Sequence, residues 1–119
     1  MKYLLLIYEN ESDWAAILED EKGKIYQEYM DYAKRLRKNG QYIAGEALQP
    51  VSTATTVRQK GGKTLTTDGP FAETREQLGG FYLVEAKDLD EAIDLAARIP
   101  SARVGTIEVR PIMPTPRPE

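Results

Sequence analysis

The sequence predicts an α+β sandwich: one antiparallel sheet with its helices gathered on a single face. Three observations lead there. The stretch KYLLLIYE (2–9) is apolar on both alternating sides, as a central strand must be when both its faces are covered. Two segments, 22–40 and 88–99, place their apolar residues at helical spacing. The element order is strand, helix, strand, hairpin, loop, strand, helix, strand, and two helices among antiparallel-compatible strands fit in about a hundred residues.

Each element has its own signal. SDWAAILED (12–20) predicts a helical turn or two, with Ser12 or Asp13 as cap. In 22–40, Ile25, Tyr29, Tyr32, Ala33 and Leu36 form a stripe. Lys34, Arg35, Arg37 and Lys38 suit the negative end of the helix dipole, and Gly40 is the expected C′ residue. YIAGEALQP (42–50) predicts a strand ending at Pro50. TATTVRQK (53–60) and KTLTTD (63–68) flank Gly61-Gly62, a two-residue hairpin signal. GFYLVEA (80–86) predicts a strand, entered through a turn at Gly79-Gly80. Asp88 opens the second helix with Glu91 in capping-box position. Leu89, Ala92, Ile93, Ala96 and Ile99 are its expected apolar face, and Pro100 is its stop. GTIEVRPI (105–112) alternates as a last strand. The whole is a ferredoxin-like sandwich with an inserted β-hairpin, one domain over 1–112. The Pro-rich 113–119 is an extended tail.

Composition narrows the chemistry. The 119 residues suit one domain with one core. They include neither cysteine nor histidine. Disulfides and thiolate catalysis are therefore excluded, and the usual neutral-pH base and transition-metal ligand are missing. No metal and no cofactor are expected. A net charge of −3 argues against nucleic acid as a partner. Leu4-Leu5-Leu6-Ile7 is too short to span a bilayer and has no signal-peptide pattern around it, so a cytoplasmic protein without a membrane partner is expected.

A sheet with helices on one face leaves the other open. Strand 2–9 has Leu4, Leu6 and Tyr8 on one side and Tyr3, Leu5 and Ile7 on the other, so a monomer leaves an apolar set in water. A homodimer with sheets packed face to face removes the problem. Tyr8, Glu46, Glu108 and Arg110 interrupt the strands, and Asp68 stands at a strand end. Between two sheets such groups line a small pocket; on strand edges they are ordinary surface. The candidate substrate-binding residues are Tyr8, Tyr29, Glu46, Tyr82 and Arg110, with Asp68 as the candidate catalytic residue.

The segments MKYLLLIYEN, AGEALQP, ATTVR and TDGPFAETREQLGGFYLVEA, in this order, resemble the YCII-related family, in the branch named for its DGPF motif. The resemblance covers nearly the whole chain. It implies a ferredoxin-like fold associating as a dimeric α/β barrel, and a cleft Asp, here Asp68. Some members pair that Asp with a His on the long helix; this chain has Tyr26, Tyr29 and Tyr32 in that region and no His, so the dyad is not supported. Members are often linked to extracytoplasmic-function sigma factors, which implies a regulatory alternative.

Asp68-Gly69-Pro70-Phe71 also reads as plain turn chemistry, since Asp-Gly is a common turn pair. Glu73, Arg75 and Glu76 read most simply as a solvated loop. Two functional readings stand side by side. One is an enzyme doing acid–base chemistry on a small organic molecule, with burial or a carboxylate such as Glu46 helping Asp68 hold its proton. The other is a ligand-binding or regulatory module without turnover.

Overall fold

The computed structural model describes residues 1–116; the last part of the predicted tail, 117–119, lies outside the described residues. Six strands and three helices form a mixed α+β fold. They are β1 (Lys2–Glu9), α1 (Glu11–Ala15), α2 (Glu19–Lys38), β2 (Tyr42–Ala47), β3 (Thr55–Lys60), β4 (Lys63–Asp68), β5 (Gln77–Glu85), α3 (Leu89–Ala97) and β6 (Thr106–Pro111). Short 3₁₀ turns at Val51–Thr53 and Pro100–Arg103 complete the chain. β2, β5, β1 and β6 form one sheet in that order, with every neighbouring pair antiparallel. This is the strand order of the ferredoxin-like split βαβ unit. β3 and β4 form a separate two-stranded sheet.

The apolar stripes decide which sheet face the helices take. Tyr3, Leu5 and Ile7 of β1 and Val84 of β5 point under α2 and α3, where they meet Tyr32, Leu36, Ala92, Leu95, Ala96 and Ile99. Leu5, Leu36, Val84 and Ile99 are almost wholly buried. The Tyr32 hydroxyl donates to the Leu95 carbonyl at 2.7 Å, tying the two helices together without stranding a buried polar atom. Tyr32 and Tyr42 both meet Tyr82 edge-on, and the Arg37 guanidinium covers the Tyr42 ring at 4.3 Å.

Several expected boundaries shift for local reasons. The first helix starts at Glu11, because the Asn10 side chain, rather than Ser12 or Asp13, accepts from the Asp13 amide. α2 begins at Glu19 rather than 22, its first turn being acidic and so suited to the dipole. Its end at Lys38 leaves Gly40 at φ 70°, in the left-handed region expected of a C′ residue. β2 stops at Ala47, short of Pro50, and β3 starts at Thr55. β5 starts at Gln77, so Gly79-Gly80 is strand and not a turn. A Cβ on Gly80 would stand 2.8 Å from the Glu46 carbonyl oxygen, so glycine is needed there for close strand approach. In α3 the buried stripe is Ala92, Leu95, Ala96 and Ile99, while Leu89 and Ile93 are each 49% exposed. Pro100 opens a 3₁₀ turn rather than simply ending the helix.

The molecule is 22 Å thick, one helix layer on one sheet, but 48 and 45 Å across. Its radius of gyration of 16.5 Å exceeds the roughly 13–14 Å of a compact chain this long. The β3–β4 hairpin accounts for part of that breadth. Nearly every residue in it is exposed, and nothing between 48 and 76 joins the core.

Candidate functional site

The open face of the sheet follows directly from strand register. One row across the four strands is Glu46, Phe81, Leu6 and Glu108; the next is Ala44, Leu83, Leu4 and Arg110. Apolar residues fill the two central strands, and ionisable ones stand on both edge strands. Tyr8 follows at the end of β1, its hydroxyl donating to Glu108 Oε1 at 3.2 Å. Burial and the Glu108 carboxylate push its phenol above the ordinary 10.0, against a smaller opposing pull from Arg110.

Three of the sequence-predicted residues therefore share this face: Tyr8, Glu46 and Arg110. Within one chain they do not converge. Glu46 and Arg110 stand on opposite edges, three strand spacings or roughly 14 Å apart. Tyr82 and Tyr29 lie on the helix side of the sheet. Tyr82 packs between Tyr32 and Tyr42, and Tyr29 projects from α2 toward the Pro100–Arg103 turn.

Asp68 ends β4 at the base of the hairpin and is exposed. The backbone around it is well held. Gly69, at φ 97°, donates its amide to the Ala54 carbonyl at 2.7 Å, and its own carbonyl accepts from Thr56 Oγ1 at 2.8 Å. Among the described residues no hydrogen bond engages the Asp68 carboxylate. Phe71, the apolar residue of the DGPF stretch, is 83% exposed. The segments that carry the hairpin are tied down by residues just past β1. Glu11 Oε2 accepts from the Val51 amide at 3.0 Å, and Asn10 Nδ2 donates to the Arg75 carbonyl at 3.1 Å. These ties place the hairpin's root at the end of the sheet where Tyr8 lies.

A second polar group joins Tyr29, one of the sequence-predicted residues, to two that the sequence does not single out, Ser101 and Glu9. The Tyr29 hydroxyl bonds Ser101 Oγ, which in turn donates to Glu9 Oε1. Ser101 is 3% exposed. Burial pushes Tyr29 up to about 12. Burial, then the nearby Glu76 carboxylate, raises Glu9 above 4.5. Glu76 accepts from Thr106 Oγ1 at 2.7 Å. The one hint in the sequence is a carboxylate closing an otherwise apolar strand; Glu76 and Ser101 lie 67 and 92 positions from it, and only the fold joins them. No group of three or more carboxylates among the described residues is placed to hold a metal ion. Two grooves lie elsewhere, both lined by Asn39, Gln41 and Glu91, and include none of the predicted site residues.

Fold and face together describe a small α+β protein with one sheet face uncovered and polar groups at its margins. The family model of the YCII-related domain matches residues 1–116, and the chain belongs to that family. It is also 37% identical over 114 residues to an uncharacterized protein of Rhizobium meliloti (strain 1021), covering 94% of this chain and 92% of that one. No helix among the described residues is long and apolar enough to cross a membrane.

Proposed function

We propose that this chain, as a member of the DGPF-motif branch, works as a homodimeric α/β barrel whose two open faces enclose a pocket for a small organic molecule. The carrying observation is the open face itself: an apolar centre of Leu4, Leu6, Phe81 and Leu83, with Glu46 on one edge strand and both Glu108 and Arg110 on the other. A two-fold axis along the strands over that centre brings Glu46 of one copy toward the edge that holds Glu108 and Arg110 of the other, and the apolar centre is self-complementary in hydrophobicity. Tyr8, Glu108 and Arg110 then become walls of an enclosed, partly desolvated space, with Asp68 near its mouth as acid or base.

A non-catalytic ligand-binding or regulatory role is the second reading, and it has its own support. Asp68 is exposed, whereas Tyr8 already holds Glu108 in a geometry suited to binding. Light scattering at micromolar concentration, followed by a thermal-shift screen of small organic acids, amines and carbonyl compounds, tests the proposal. A dimer mass with at least one stabilising compound whose effect is lost in Arg110→Ala is expected. A monomer mass overturns the proposal.

A further inference from the structure

We infer that the β3–β4 hairpin is an arm that each subunit lays across the other; the inference deepens the dimer proposed above and rests on it. The hairpin is regular, six register pairs closed by Gly61 and Gly62 at φ 59° and 77°. Yet it supplies nothing to the core. A lone two-stranded hairpin is marginal in water, so a well-formed one implies a surface to pack on.

Its two faces differ. Thr55, Val57, Gln59, Thr64 and Thr66 share one, uncharged except for Asp68 at its root; Thr56, Arg58, Lys60, Lys63, Leu65 and Thr67 share the other, which carries three cations. Val57 is 59% exposed on the uncharged side. The occupant that fits is a second copy of this chain, and area supplies the argument. Four strands of about six residues present roughly 400 Å² in plan. An ordinary stable interface takes about 800 Å² of accessible surface per partner; side-chain relief raises the plan area only part of the way, so the sheet face alone falls short. One hairpin face adds about 200 Å². Because each subunit both gives an arm and receives one, the two-fold doubles that figure and closes the gap.

Sedimentation equilibrium on the full chain and three variants tests the arm. Val57→Glu places a charge on the uncharged face, Arg58→Glu alters the opposite face, and Leu6→Lys alters the sheet centre. Val57 and Arg58 are exposed and outside the core, so both variants keep the wild-type circular dichroism. Val57→Glu is expected to raise the dimer Kd at least about 30-fold, and Arg58→Glu no more than about fivefold. Amides of Thr55–Lys60 should gain hydrogen-exchange protection only above the wild-type Kd. If Val57→Glu leaves Kd unchanged while Leu6→Lys yields monomers, the arm is refuted and the face-to-face dimer stands. If the wild type is itself a monomer, both fall. Unchanged exchange across the Kd also overturns the arm.

Discussion

Glu9 carries a pH response in the acid range. Its folded value is raised by burial and by Glu76, so the fold disfavours its charged form. Below 4.5 the carboxyl is protonated in both states and costs nothing. As pH rises from there through the folded value, the unfolded chain releases the proton first, and stability falls; above the folded value the deficit is constant. Glu9→Gln keeps an oxygen that accepts from Ser101 and has no charge to bury. Urea midpoints of the variant should therefore lack the wild-type decline over that window, and parallel pH curves for the two proteins would show that Glu9 is not its source. Asp68 is the opposite case, exposed and held only through its backbone neighbours. Asp68→Asn should change stability by less than about 0.5 kcal/mol. Any ligand effect found for the wild type should collapse in it; undiminished binding and turnover would remove Asp68 from the site.

Among the elements, β5 is the one whose sequence and packing are most tightly coupled. It lies between β1 and β2, and Gly80 lets the β2 backbone come close. Gly80→Ala must push that backbone away, which should cost about 2 kcal/mol; a thermal midpoint equal to wild type would mean that β2 can yield. α3 depends on its first turn. Asp88 accepts from the Glu91 amide at 2.9 Å, and Glu91 Oε1 accepts from the Lys87 amide at 3.1 Å. Asp88→Ala should cost about 1 kcal/mol, read as a lowered urea midpoint with an unchanged m-value. The hairpin has no such cost to its own subunit, because no core residue depends on it.

For the whole molecule the governing fact is that two helices cover one face of a sheet whose two central strands are apolar on both. Leu6 stands at the middle of the uncovered face, between Phe81 and Glu108. Leu6→Lys leaves the helix-side core untouched and puts an ammonium where a second sheet would lie. It should fold with wild-type circular dichroism and run as a monomer at micromolar concentration, because an unpaired charge in such an interface is costly. A dimer mass for this variant would place the contact elsewhere on the surface.

Local pattern was enough for much of this. Period-two alternation placed the strands, helical stripes placed the two long helices, and Gly61-Gly62 and Asp88 marked a turn and a cap, since each depends on neighbours in sequence. Strand parity also put Tyr8, Glu46 and Arg110 on one face. The fold itself decided what required distant partners. It set Tyr82 and Tyr29 on the helix side, turned the buried stripe of α3 to Leu95, and made Gly79-Gly80 part of a strand, where close packing against β2, not turn chemistry, selects glycine at position 80. It joined Glu9 to Ser101 and Tyr29 through a contact between the end of β1, the turn after α3 and the middle of α2. It also put Glu46 and Arg110 on opposite edges of one sheet. That separation depends on strand order, which no local spacing encodes.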